Sequence, residues 1–153
     1  MGPFQLNNVD SCSPGEAPGL LTNHAARVFN RRMDALLRPL GIALAHLSPL
    51  MLLNRDGPML QRDLVRGLGI GQPGMVHAIR RLEEGGFISR RPAEKDRRAT
   101  IIELTDKGRE TVAVASPFLI EVNENALSGF TAEESRTLAI LLQRLIANLE
   151  LDE

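Results

Sequence analysis

Between residues 20 and 150 the apolar side chains recur mainly at steps of three and four, the spacing that gathers them on one side of an α-helix. The first such stretch covers 20–37. Leu21, Ala25, Val28, Phe29, Met33, Leu36 and Leu37 form its apolar stripe, with Arg32 the one charge in it. Arg27, Asn30, Arg31 and Asp34 take the other face, and Pro39 and Gly41 end the helix. A shorter helix is expected over 47–53. Ser48-Pro49 reads as N-cap and first helical residue, while Leu44 and Leu47 suggest a start one turn earlier. After the Asp56-Gly57-Pro58 turn, Leu60, Leu64, Val65 and Leu68 share a face in a helix expected over 59–70, which Gly67 and Gly69 terminate. The next helix opens at Gln72-Pro73 and packs through Met75, Ala78, Ile79 and Leu82. Gln72, Val76, His77, Arg80 and Arg81 lie off that face. Two helices joined by a tight glycine turn form a helix-turn-helix pattern.

Gly85-Gly86 stops that second helix, and the period then changes. Residues 87–91 and the β-branched run 100–105 read as two strands of a hairpin whose long tip is basic. A hairpin in that position is a wing. Thr105-Asp106 opens a long helix in which Pro117 should cause a kink or a break. Thr131-Ala132-Glu133-Glu134 is a capping box for the last helix, with Leu138, Leu141, Leu142, Leu145 and Leu149 nearly heptad-spaced. Residues 1–18 are rich in Gly, Pro, Asn and Ser and read as a flexible arm. The fold class expected is mainly α with a small β-hairpin wing: a winged helix-turn-helix over about 44–105 in a single domain, 19–150. Long N- and C-terminal helices, about 19–38 and 106–150, flank it as dimerisation helices.

Charge changes this picture. The 18 basic and 19 acidic residues nearly cancel, which by itself argues against a nucleic-acid partner. By segment they do not cancel. Residues 47–110 carry 12 basic and nine acidic side chains, whereas 111–153 carry two and seven. Between Arg80 and Arg98 alone there are seven basic and four acidic residues. Such asymmetry marks a partner-binding face. The single cysteine, Cys12, excludes a disulfide framework within the chain, and no positive neighbour in sequence lowers its thiol pKa. No apolar run reaches membrane-span length and residues 1–18 lack the pattern of a signal peptide, so a cytoplasmic protein without a membrane partner is expected.

A winged helix-turn-helix with a basic centre suits double-stranded DNA. The second helix fits a major groove, its N-terminal amides can meet phosphate, and the wing arginines can reach the flanking minor groove. The outer helices carry more apolar surface than a small winged unit can cover. They are therefore expected to meet in a homodimer, through Leu21 and through Leu138, Leu142, Leu145 and Leu149.

The pieces Arg81-Leu82-Glu83-x-x-Gly86-Phe87-Ile88, Asp96-Arg97-Arg98 and Leu104-Thr105-Asp106-Lys107-Gly108 resemble the MarR family of bacterial transcription regulators, and the resemblance extends over about 20–150. It implies a homodimeric regulator, usually a repressor, released from a pseudo-palindromic operator by a small effector. The recognition-helix positions it implies are Gln72, Pro73, Gly74, Val76, His77 and Arg80. This set departs from the family's common Ser, Thr and Arg at 73, 74, 76 and 77, which leaves fewer hydrogen bonds to bases. Readout then falls more on shape and on the wing. The wing positions are Arg90, Arg91, Lys95, Asp96, Arg97 and Arg98. Asp96 is expected to orient the Arg98 guanidinium, and Arg97 or Arg98 to enter the minor groove. Arg90, Arg91 and Lys95 are expected on phosphates.

His24 and His46 fall where the resemblance implies an effector pocket. No HxxxH pair or Cys/His cluster is present, so neither a metal nor a cofactor is expected. No nucleophile–base set, phosphate loop or carboxylate pair is evident, which argues against an enzyme. The competing reading is a winged helix used for protein–protein contact without sequence-specific DNA binding.

Overall fold

A computed structural model describes residues 17–67 and 72–151. The chain divides into two units at Leu119/Ile120. The first holds α1 (Pro18–Leu37), a 3-10 turn (Arg38–Leu40), α2 (Leu44–Asp56), β1 (Met59–Leu60), α3 (Gln61–Gly67), α4 (Gln72–Glu84), β2 (Ile88–Pro92) and β3 (Thr100–Leu104). It also holds the first two-thirds of α5 (Asp106–Ala126). The second unit holds the end of α5 and α6 (Ala132–Glu150). The winged helix-turn-helix is present: α3 and α4 are its two helices, and β2 pairs antiparallel with β3 to form the wing.

The core of the first unit forms where the apolar periods converge. Met33 and Leu37 of α1, Leu47, Leu50 and Leu53 of α2, and Leu64 of α3 are buried with Met75, Ile79 and Leu82 of α4. Ile88 and Ile102 close it from the sheet. The spacing of Met75, Ala78, Ile79 and Leu82 thus identified the packed face of α4. The stripe of α1 splits instead. Its C-terminal half enters the core, while Leu20, Leu21 and Val28 stay exposed.

Four details depart from the sequence pattern. First, α2 starts at Leu44, with Pro49 buried inside it rather than at its first turn. The start is fixed partly from outside the helix: Asp34 Oδ1 of α1 accepts the Leu44 N–H at 2.7 Å, while within α2 His46 Nδ1 accepts the Ala43 N–H at 3.1 Å. Second, Met59 and Leu60 are a third strand, paired with Ile102 and Ile101, so the helix expected over 59–70 begins only at Gln61. A two-residue strand is too short to display a period. Third, β2 starts at Ile88, because the Phe87 N–H turns back to the Leu82 carbonyl. Fourth, α5 runs through Pro117 without a break. Pro117 and Ala113, whose carbonyl loses its partner, are both exposed, so water can replace the missing hydrogen bond.

The capping box at the start of α6 is formed. Thr131 Oγ1 accepts the Glu134 N–H at 3.1 Å, and Glu134 Oε2 accepts the Thr131 N–H at 2.8 Å. No residue of α6 is buried. Pro18, read with the arm, is in the first turn of α1. The rest of the arm through residue 16, with Cys12, lies outside the described residues, as does the turn around Gly69 and Gly71.

Candidate nucleic-acid interface

The packing of α4 decides what it can offer to a groove. With Met75, Ala78, Ile79 and Leu82 buried, Gly74, Val76, His77 and Arg80 are left on the outer side and are all exposed. Val76 is a β-branched apolar residue, yet it is 49% exposed. α4 starts at Gln72, and the side chains of Gln72 and Pro73 lie outside the described residues. Arg80 is held by Glu84 one turn along, Nε to Oε1 at 2.9 Å.

The wing is anchored at its base and open at its tip. Arg90 Nε meets Glu83 Oε2 at 2.6 Å, and its Nη1 donates to Gln61 Oε1 at 3.2 Å, so β2 is tied to both α4 and α3. Arg91 meets Glu103 across the hairpin at 3.6 Å. The tip closes through the Ala93 N–H to the Ala99 carbonyl and the Ala99 N–H to the Asp96 carbonyl, each 2.9 Å. Asp96 does not hold the Arg98 guanidinium as expected. Its Oδ1 accepts the Arg98 backbone N–H at 2.9 Å, an Asx turn. The carboxylate therefore shapes the tip, and the guanidinium stays free. Among the described residues Lys95, Arg97 and Arg98 are exposed and in no ion pair. Arg90 and Arg91, by contrast, already have carboxylate partners.

Helix and wing border one open cleft of about 410 Å³. Val76 stands on one side, Asp96 and Arg98 on another, and Gln61, Arg62 and Val65 of α3 line the rest. The fold thus brings together residues 22 positions apart in sequence. Sequence reasoning missed Gln61, Glu83 and Glu103. Each acts through an arginine on a different element, so no helical or strand period within its own element signals that role.

The two histidines do not share a site. His24 is exposed on α1 beside Arg27, Arg31 and Arg38, with Arg27 Nη2 3.4 Å from its Nδ1. His46 lines a different hollow, with Gly41, Arg81, Glu84 and Phe87. Burial first, then the positive charge of Arg81 and the nearby His77, lower the His46 pKa below its ordinary 6.5, while Asp34 opposes the shift. That direction agrees with the hydrogen bond, since Nδ1 can accept from Ala43 only while it carries no proton.

The sequence model described as the MarR family matches residues 40–99. Among solved structures the chain is similar to BpsR of Bordetella bronchiseptica, whose DNA binding is regulated by 6-hydroxynicotinic acid. The identity is 22% and the TM-score 0.80, covering 88% of this chain and 96% of that one. It is also similar to MepR of S. aureus in a complex with DNA, at 21% identity and a TM-score of 0.78, covering 90% and 99%. A probable transcriptional regulator from Pseudomonas aeruginosa is 27% identical with a TM-score of 0.68, covering 80% and 95%. Among the described residues no single helix is long and apolar enough to cross a membrane.

Proposed function

We propose that the chain is a MarR-type regulator, dimeric and DNA-binding, a repressor that a small effector releases from its operator; the match of the MarR-family model to residues 40–99 supports this reading. The observation that carries this reading is the cleft shared by α4 and the wing. An exposed helix face with Val76, His77 and Arg80 stands beside a tip whose Lys95, Arg97 and Arg98 have no internal partner. Val76 suits a thymine methyl, and the free guanidiniums suit phosphate or a narrow minor groove. Arg80, Arg90 and Arg91 reach DNA only by giving up an existing carboxylate, so the base of the wing contributes less than its tip.

The dimer reading rests on α6. No residue of this leucine-rich helix is buried: Leu138, Leu142 and Leu149 are exposed, as is Leu21 of α1, and Leu145 is half-buried. A second copy is the partner that removes this surface from water, and two-fold symmetry then sets two recognition helices one DNA turn apart. The effector is assigned to the His46 hollow, because Arg81 and Glu84 belong to the last turn of α4 and a ligand there touches the reading helix. His24, in its separate hollow on α1, is not part of that assignment.

The test is a titration of the purified protein on DNA from upstream of its own gene, at several salt concentrations. The three unpaired cations of each wing tip alone would neutralise about six phosphates per dimer, so the logarithm of affinity should fall with the logarithm of salt with a slope of about −5 or steeper. A slope near zero, or equal affinity for unrelated DNA, would replace this reading with a winged helix that binds protein.

A further inference from the structure

The string Leu104-Thr105-Asp106-Lys107-Gly108 has no part in the interface described above. Its surroundings lie at the C-terminal end of α4. Gly86, at φ +76°, directs its N–H to the Glu83 carbonyl at 2.9 Å, and the Phe87 N–H reaches the Leu82 carbonyl at 2.9 Å. This is a Schellman motif, with Leu82 and Phe87 both buried beneath it. The carbonyls of Gly85 and Gly86, just past the end of α4, are taken by Thr105 and Lys107 at the start of α5. Lys107 Nζ donates to the Gly85 carbonyl at 2.7 Å, and Thr105 Oγ1 donates to the Gly86 carbonyl at 2.6 Å. The same Thr105 hydroxyl accepts the Gly108 N–H at 3.1 Å, and the Thr105 N–H donates to the Phe87 carbonyl at 3.1 Å. Finally, the Lys107 ammonium stands 4.4 Å from the centre of the Phe87 ring.

We propose that Lys107 is a positioning residue for the recognition helix: it caps the C-terminal end of α4 through the Gly85 carbonyl and the Phe87 ring, and so fixes the pose of α4 against α5 without touching DNA. A cation at a helix C-terminus meets the negative end of the helix dipole, and the aromatic face adds a second attraction to the same ammonium. Two partners together hold a long side chain that would otherwise sample many rotamers. The proposed reading positions run from Gln72 to Arg80, and the cap sits beyond Glu84, about one and a half turns past the last of them. A shift of the first turn of α5 is therefore passed to the reading helix through the two carbonyls. The consequence for DNA affinity rests on the regulator reading; the cap itself does not.

The experiment compares wild type, Lys107→Met and Lys107→Arg. Methionine keeps the apolar stem beside Phe87 and removes the charge and the donor. Arginine keeps all three. Amide exchange is followed over residues 82–88 in the free protein, and affinity for the selected operator and for unrelated DNA is measured across a salt series. Lys107→Met should speed exchange over 82–88 and weaken operator binding about three- to tenfold. Its salt slope and its affinity for unrelated DNA should match wild type, and Lys107→Arg should restore both readouts. A slope reduced by about one per copy would make Lys107 a phosphate ligand and overturn the proposal. Unchanged exchange in Lys107→Met would overturn it as well. If wild type shows no selective DNA binding, the regulator reading fails, and the exchange comparison still decides the cap.

Discussion

Replacing Gly108 by alanine sets two physical terms against each other. Gly108 lies in the first turn of α5, where alanine should stabilise the helix by about 0.8–1 kcal/mol on intrinsic propensity. The tertiary contact opposes this. A Cβ at Gly108 would fall on the Phe87 carbonyl oxygen, well inside the 3.0 Å that real Cβ atoms keep, and 3.1 Å from Leu104 Cδ2. The obstacle is backbone, so no rotamer change relieves it. The first turn of α5 must retreat from Phe87 by most of an ångström. Three hydrogen bonds span that gap: Thr105 N–H to Phe87, Thr105 Oγ1 to Gly86, and Lys107 Nζ to Gly85. At about 1 kcal/mol each their loss costs about 3 kcal/mol, leaving a net destabilisation of about 2 kcal/mol after the propensity gain. For a chain of this length that lowers the melting temperature by about 4–8 °C. Circular dichroism melts at one matched protein concentration measure it, since the proposed dimerisation would make the midpoint concentration-dependent. Gly19→Ala serves as control, because a Cβ there meets nothing within 4 Å and should leave stability unchanged or slightly raised. A Gly108→Ala melting temperature equal to or above wild type would refute the reasoning.

Three further outcomes are expected. Arg98→Ala should weaken operator binding about 10-fold or more and lower the salt slope by about one per copy, whereas Asp96→Asn, which keeps an oxygen for the Arg98 N–H, should stay near wild type; equal affinity of Arg98→Ala and wild type at one salt concentration removes the wing from the interface. Leu142→Glu should shift the sedimentation mass from dimer to monomer, since losing a buried leucine in both copies costs about 3–6 kcal/mol, and an unchanged mass would clear this face of α6 of any role. The His46 pKa is lowered by folding, so its contribution to stability is complete above 6.5 and is lost as pH falls through the lower folded value. His46→Gln should therefore flatten the fall in urea midpoint between about pH 7.5 and 5.5, and a slope as steep as wild type would exclude His46 as its source.

The packed face of α4 was legible because four apolar residues at helical spacing leave one possible inner side. The capping box at Thr131 was legible because both of its bonds are local, three residues apart. The start of α2 was not, because its caps come partly from Asp34 on another helix, and Ser48-Pro49 offered a sound local alternative. β1 was hidden because two residues pair only with a strand some 40 positions later. In the wing, the resemblance led to a bond between Asp96 and the Arg98 guanidinium, whereas Asp96 accepts the Arg98 backbone N–H. Sequence separation cannot distinguish a backbone N–H from a guanidinium.

The order of the helices and wing strands, the packed face of α4 and the basic centre were legible in the sequence alone. They depend on period, turn chemistry and charge, which act over a few residues. Which wing arginines are free and which are spent on Glu83 and Glu103 was decided only by the tertiary structure, as was the closure of α5 onto the C-terminal end of α4. Ion pairs and hydrogen bonds of that kind depend on distances of a few ångströms between segments, and one-dimensional spacing does not encode those distances.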